Sequence, residues 1–263
     1  MTKVSGRLNR LAESATLAMA RMSRELQAKG VNIIALSLGE PDFDTPEFIK
    51  EAAKKAIDDN FSHYTPVPGL PELRSSISAK FKRDNHLEYT PDQIVVSTGA
   101  KQSLANVCLS LLDPEDEVLL PCPYWVSYAE IIKLAEGVPV EIKSTIDSDF
   151  KITPSQLEAS ITSRTKMIMF SSPCNPSGTV YTQSELEAIA KMLDKYPNIY
   201  IVSDEIYEHI NFTDKHYSIG TIPSMKDRTV TVNGVSKGFA MTGWRVGFIG
   251  APLWIAKACN KIQ

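Results

Sequence analysis

No stretch of this sequence approaches the roughly 20 consecutive apolar residues that a bilayer-spanning helix requires. The opening "MTKVSGRLNRLAESATLAMARM" also lacks the long hydrophobic core of a secretory signal. Its arginines faintly resemble those of a transit peptide, but Glu13 and Glu25 interrupt that pattern, and the expected compartment is the cytoplasm. Neither sign of charge dominates: 28 Lys and Arg stand against 31 Asp and Glu, a formal net charge of −3. That balance removes the electrostatic footprint of a nucleic-acid binder or of a protein attracted to an anionic membrane surface. The four cysteines, Cys108, Cys122, Cys174 and Cys259, form no CxxC pair and no metal-ligand spacing with the four histidines. Neither a metal site nor a disulfide framework is therefore expected, and the thiols should be reduced and mostly buried. There is no internal repeat and no low-complexity tract, which excludes solenoids and long linkers.

What is present is the material of a globular core. The 263 residues are 43% hydrophobic and 22% charged, enough for one large domain or one plus a fraction. Small molecules or other protein subunits are the expected partners. Helix-forming composition over 12–29 is broken by "SLGEPDFDTP", with Gly39, Pro41 and Pro46, before a second helical pattern begins. From Ile94 onward seven short β-rich runs recur: IVVST, EVLLP, VPVEI, MIMFSS, IYIVSD, TVTVNG and RVGFIG. Helical patterns such as KQSLANVCLSLL and QSELEAIAKMLDKY lie between several of them. This alternation predicts an α/β fold, and strands that are apolar throughout predict a sheet covered on both faces. In such sheets ligands bind outside the carboxyl ends of the strands.

The residues at those ends are chemically unusual. Lys237 follows TVTVNG in the stretch "VSKGFAMTGWR"; a lone lysine is ordinarily a solvated surface group, but here small and apolar neighbours surround it. Desolvation and nearby cations lower an amine's pKa, and a neutral amine can form a Schiff base. Asp204 closes IYIVSD, where a carboxylate is costly unless it caps a helix or meets a cation. A protonated pyridine nitrogen is one such cation, and Tyr207, three residues on, is placed to reach a ring oxygen of the same ligand. In "STGAKQS", Gly99, Ala100 and Lys101 occupy a strand-to-helix turn whose free N–H groups suit a phosphate, and Arg245 offers that phosphate a bidentate contact. Trp125 in "PYWVSY" has the face to stack on an aromatic ring, although buried tryptophans are commonly plain core. Asn175 in "SSPCNPSG", between two prolines, either caps its own turn or reaches the ligand's ring oxygen or a substrate carboxylate. Each signal alone has an ordinary structural explanation. As a set, they describe an aromatic, phosphorylated, aldehyde-bearing ligand, pyridoxal 5'-phosphate, for which the lysine and aspartate pairing is the mark.

With these motifs in place, the chain resembles the fold-type I aminotransferases, and within them the bacterial aspartate aminotransferases of subgroup Ib. The stretches that carry the resemblance are "SLGEPDFDTP", "YTPVPGLPELR", "STGAKQSL", "LPCPYWVSY", "SSPCNPSGTVY", "VSDEIYEHI" and "SKGFAMTGWRVGF". The resemblance implies a three-layer αβα large domain with a mainly parallel seven-stranded sheet. It implies that 1–45 form an arm and part of a small domain, and 46–263 the cofactor-binding large domain. It further implies that Lys237 carries the cofactor as a Schiff base, Asp204 holds the ring nitrogen, and Tyr207 and Asn175 contact the ring oxygen. Trp125 would stack on the ring, while Gly99, Ala100, Ser236 and Arg245 hold the phosphate. Tyr64 would reach the phosphate of a neighbouring subunit, which implies a homodimer with shared sites. Gly39 falls in the substrate-carboxylate loop, and Lys101 and Thr16 resemble the positions that recognise the distal carboxylate of the substrate.

The sequence departs from that pattern in two places. Gly234 stands where many relatives have a phosphate-binding serine. Family members also continue past the position of Gln263 through a long helix into a C-terminal small domain, which bears the arginine for the substrate α-carboxylate. The expected reaction of the intact protein is a ping-pong transfer of the amino group of aspartate to 2-oxoglutarate. Two alternatives share the motifs: a β-lyase or a transaminase for aromatic, alanine or prephenate-type substrates, and a fragment that binds cofactor without turnover.

Overall fold

The computed structural model describes residues 4–13, 15–34, 36, 39–213 and 215–263; Ser37 and Leu38 of the "SLGEPDFDTP" motif fall outside them. All seven apolar runs are strands of one sheet: β1 Ile94–Ser97, β2 Glu117–Pro121, β3 Val138–Ile142, β4 Thr165–Ser171, β5 Tyr200–Asp204, β6 Thr229–Gly234 and β7 Gly247–Gly250. Their order is β1-β7-β6-β5-β4-β2-β3. The pairs β2–β3, β2–β4, β4–β5 and β5–β6 are parallel, and β7 runs antiparallel to both its neighbours. The helices are α1 Gly6–Asn9, α2 Ala15–Ala28, α3 Glu47–Asp58, α4 Pro71–Asn85, α5 Ala100–Leu111, α6 Ser127–Leu134, α7 Pro154–Ala159, α8 Gln183–Leu193 and α9 Leu253–Ile262.

Neighbouring residues of each central strand belong to different cores, because successive side chains of a strand point to opposite faces. Val118, Leu120, Met167, Met169, Val202 and Ile249 pack with Leu104 and Cys108 of α5, Ile132 of α6 and Ile255 of α9. Leu119, Ile168, Phe170 and Ile201 pack on the other side with Leu157 of α7 and Leu186, Ile189 and Leu193 of α8. Ile77 and Phe81 of α4 close a third cluster with Tyr89, Ile94 and Phe248. The sheet is therefore a middle layer between two helical layers, as the apolar strands predict.

Local signals fix where the helices begin. The Thr153 and Thr182 hydroxyls accept from the N–H of Gln156 and Glu185, whose side chains in turn accept from the threonine N–H groups. Such capping boxes are each worth on the order of 1 kcal/mol. Proline opens α4 and α7 at a position whose N–H has no intrahelical acceptor in any case. The N-terminal helices are less embedded: α2 buries only Ala20, and Met19, Met22, Phe48 and Ile57 are exposed. No described helix is long and apolar enough to cross a membrane. All four cysteines are free, but only Cys108 and Cys259 are buried; Cys122 and Cys174 sit half-buried in the turns that leave β2 and β4. Turns at the open rim of a sheet keep part of their side-chain surface in water, which sequence hydrophobicity does not register.

Candidate active site

The strand register gathers the unusual residues on one rim. Ser97 lies opposite Gly247, Gly247 opposite Gly234, Val232 opposite Asp204, and Asp204 opposite Ser171. Because β7 is reversed, its amino end, reached through Arg245, shares this rim with the carboxyl ends of its neighbours. The chain thereby brings Arg245 to the turn after β1, although the two are far apart in sequence.

Asp204 is buried at the end of β5. Its Oδ1 accepts from the Ile206 N–H at 3.2 Å, and its Oδ2 accepts from the Tyr128 hydroxyl at 2.7 Å. Burial pushes its pKa up to about 6, with the Glu205 charge adding to the rise and the two hydrogen bonds opposing it. Among the described residues Asp204 has no ion-pair partner. It is a desolvated carboxylate in want of a cation. Tyr128 itself is fully buried, and its own pKa is raised by burial and by the charge of Asp204.

Lys237 follows β6 in a tight turn, and its Nζ donates to the Gly39 carbonyl. The ammonium lies 5.6 Å from the ring centroid of Tyr207. Burial lowers its pKa and the charge of Arg245 lowers it further, against an opposing effect of Glu40. The Tyr207 hydroxyl accepts from Asn175 Nδ2 at 3.4 Å. The turn that carries Lys237 is latched to the N-terminal segment: Thr45 Oγ1 donates to the Ala240 carbonyl at 2.6 Å, Trp244 Nε1 donates to Thr45 Oγ1 at 3.2 Å, and Thr242 donates to Glu40.

A second group of cations lines the start of α5. Arg245, at φ 58°, donates to the carbonyls of Thr242 (2.7 Å) and Thr98 (3.5 Å). Gly99 caps α5 at φ 87°, and a Cβ there would lie 2.2 Å from the Arg245 guanidinium. A Cβ on Gly247 would lie 2.1 Å from the Ala100 nitrogen. Only glycine at both places lets the guanidinium and the helix start lie side by side. Lys101 Nζ sits 4.9 Å from the ring centroid of Trp125, with its pKa lowered by burial and by Arg245. Ser236 is buried and adjoins Lys237. Lys101, Lys237 and Arg245 form no ion pair with any described carboxylate. Together with the N–H groups that open α5, they concentrate positive charge at this end of the rim, the chemistry that suits an anion.

The structure thus draws together Lys237, Gly39, Tyr207, Asn175 and Asp204, and beside them Gly99, Ala100, Lys101, Trp125, Ser236 and Arg245. It does not bring in the remaining two expected residues. Tyr64 is fully exposed, and Thr16 is half-buried in α2; among the described residues neither is hydrogen-bonded to the cluster. At Gly234 a Cβ would lie 2.8 Å from the Val246 carbonyl oxygen and 3.1 Å from Ile206 Cδ1, so the backbone packing here favours the glycine over the family's serine. Sequence reasoning missed Tyr128. A signal was available: Trp125 and Tyr128 are three apart at the start of a helix, and their rings meet edge to face at 5.6 Å.

Comparison with known proteins shows the family and the fold. The family model "Aminotransferase class I and II" matches residues 31–263. The chain is 49% identical over 265 aligned residues to a probable aspartate/prephenate aminotransferase of Rickettsia typhi, covering 100% of this chain and 66% of that protein. It is 47% identical to the aspartate/prephenate aminotransferase of Cereibacter sphaeroides, with the same coverage. Among solved structures, an aspartate aminotransferase from Thermus thermophilus with maleate superposes with a TM-score of 0.96 at 43% identity, covering 100% of this chain and 68% of that one. The chain spans 66% of the length of the curated relatives it matches.

Proposed function

This chain belongs to the aminotransferase class I and II family, and from that premise we propose that the whole protein is a pyridoxal-phosphate-dependent transaminase that takes its amino group from aspartate. The carrying observation is a half-buried lysine with a lowered pKa, Lys237, on the same rim as Asp204, a buried carboxylate with no ion-pair partner among the described residues, beside two further cationic groups at a helix start, Lys101 and Arg245. A phosphorylated pyridine aldehyde fits each requirement. Its phosphate suits the Gly99–Arg245 cradle, where a side chain would collide with the guanidinium, and its ring nitrogen suits Asp204. When bound, the cofactor supplies a carbonyl for Schiff-base chemistry and a ring that accepts electrons from the substrate's Cα.

The chain's own residues divide the remaining work. Lys237 would hold the cofactor and, as a free amine, would move the proton at the substrate's Cα as general base and then as acid, a role that suits an amine whose pKa burial lowers. Asp204 keeps the ring nitrogen protonated, and the Tyr128 hydroxyl keeps the carboxylate ionised and aimed. Asn175 and Tyr207, hydrogen-bonded to each other, orient the ring oxygen. Lys101 and Gly39 face the substrate, and Trp125 limits ring tilt. The relatives' names, aspartate/prephenate aminotransferase, support aspartate as one substrate, and we take 2-oxoglutarate as the acceptor. We assign 1–45 to the arm and small domain and 46–263 to the cofactor-binding body, and place the protein in the cytoplasm. The exposed Tyr64 and the half-buried Thr16 then serve a site completed by a second subunit and by small-domain closure.

The test is borohydride reduction of the full-length protein with pyridoxal phosphate, followed by peptide mass mapping and turnover assays. An adduct on Lys237, with turnover of aspartate exceeding that of phenylalanine and alanine, is the expected result. No adduct refutes the cofactor assignment; an adduct without aspartate turnover refutes the substrate.

A further inference from the structure

The five residues Asp204–Glu208 read DEIYE, and the structure separates them into two pairs. Asp204 and Tyr207 belong to the cleft. Glu205 and Glu208, each one residue later, enter a closed polar cluster under α4. Glu205 is fully buried: its Oε1 accepts from the hydroxyls of Ser203 (2.9 Å) and Ser218 (2.6 Å), and its Oε2 accepts from Asn85 Nδ2 (3.4 Å) and lies 2.9 Å from His216 Nε2. Glu208, whose side chain is 5% exposed, accepts from Asn85 and pairs with the Lys80 ammonium of α4. It also lies 3.2 Å from His209 Nε2.

The ligand atoms of Glu205, Glu208 and His216 all fall within 4.8 Å of one another, a spacing that a metal ion would accept. A metal is the weaker reading, because Lys80 already supplies a cation and the Glu205 oxygens are saturated by hydroxyl, amide and imidazole groups. What calls for explanation is the cost. Buried carboxylates are expensive to desolvate, and apolar residues of similar size often serve stability as well. The cluster's return is geometric. Glu205 N–H donates to the Val232 carbonyl at 2.9 Å and Glu208 N–H to the Glu205 carbonyl at 3.0 Å, so the turn between them is tied at both ends. The cluster also reaches the lysine turn: a Cβ on Gly238 would lie 2.7 Å from His209 Cδ2, so His209 packs directly on the residue after Lys237. One cluster therefore touches both the turn after β5 and, through His209, the turn that carries Lys237.

We propose that Glu205 and Glu208 are positioning residues: with Lys80, Asn85 and His216 they hold the turn after β5 so that Asp204 and Tyr207 keep one geometry toward the cofactor ring. This rests on the reading of Asp204 as the ring nitrogen's partner. A misplacement of even about 1 Å in such a group can cost up to about a hundredfold in rate, so a loosened brace should appear in turnover before binding.

The experiment uses the full-length protein loaded with pyridoxal phosphate and compares the parent with Glu208→Gln, Lys80→Gln and Lys80→Arg. Two readings are taken: the pH midpoint of the bound cofactor's absorbance, and kcat and KM for aspartate. Among the described residues the side chains of Lys80 and Glu208 form no hydrogen bond or ion pair with a residue of the candidate site, so a change in the cofactor's spectrum reports transmitted geometry. Both glutamine variants should still form the borohydride adduct on Lys237, move the absorbance midpoint, and lose about tenfold in kcat with KM nearly unchanged. Lys80→Arg should restore most of both. Parental midpoint and kcat in the glutamine variants, even with a lowered melting temperature, would make the cluster a stability element only and overturn the proposal. If neither glutamine variant folds, Asn85→Ala, which removes a donor from each carboxylate, decides on the same two readings. Failure of the parent itself to form the adduct would sink the cofactor reading and this proposal with it.

Discussion

Replacing Asp204 with asparagine should stabilise the cofactor-free protein while disabling the site. In the folded chain the carboxylate is buried without a cation, and its pKa rises from an ordinary 3.8 to about 6. At ~1.4 kcal/mol per pH unit, holding this group ionised costs roughly 3 kcal/mol well above pH 6. The sign follows from linkage: the native state binds the proton more tightly than the unfolded state, so native stability falls as pH rises from 3.8 through 6 and is insensitive beyond. Asparagine removes the charge and keeps the contacts. Its amide oxygen accepts from Ile206 N–H, and its N–H₂ donates to Tyr128, whose hydroxyl then turns toward Ser171. Urea unfolding of Asp204→Asn against the parent, without cofactor, should show a gain of roughly 3 kcal/mol at pH 8 and roughly half of that at pH 5. Tyr128→Phe should act oppositely at pH 8, losing about 1.5–3 kcal/mol for a hydrogen bond to a charged group. No gain for Asp204→Asn at pH 8, or the same gain at pH 5 and pH 8, would refute the account of Asp204 as a charge awaiting its partner.

Gly99→Ala would force the Arg245 guanidinium aside, because the new methyl would lie 2.2 Å from it. Titration should show affinity for pyridoxal phosphate falling about tenfold or more, with affinity for unphosphorylated pyridoxal little changed; equal losses for both ligands would contradict the phosphate assignment. For His216, burial pulls the pKa down but the charge of Glu205 prevails and the net direction is upward. A raised histidine pKa gives stability that is complete below the unfolded value of about 6.5 and fades as pH rises through the folded value. His216→Gln should therefore lower the melting temperature more at pH 6 than at pH 9, and a deficit that grows with pH would reverse the reasoning.

The parts of this molecule that were legible in advance share one property: their physics is local. Each of the seven strands is an apolar run bounded by turn residues, and the unusual residues beside them were found by looking where strands end. What was hidden depends on which strands become neighbours. Nothing in RVGFIG announces that β7 runs backwards, yet that reversal is what brings Arg245 to Gly99. Tyr128 reads as one more aromatic at a helix start until β2 and β5 come close enough for its hydroxyl to meet Asp204. The partners of Glu205 and Glu208 come from α4 and from the segment around His216, which the local sequence of DEIYE does not show. Cys122 and Cys174 were expected to be mostly buried on composition alone, whereas their exposure follows from turn geometry.

The bond between Lys237 and the carbonyl of Gly39 spans 198 residues. During synthesis at about 5–20 residues per second, the segment around Gly39 emerges roughly 10–40 s before its partner exists. For that interval the loop has nothing to close upon, and a newly made chain carries a sheet in progress but no reactive amine in place. Assembly of the lysine's surroundings is thus deferred until β6 has joined β5, when only β7 is left to enter between β6 and β1, which ties completion of this corner of the molecule to nearly the last step of building its sheet.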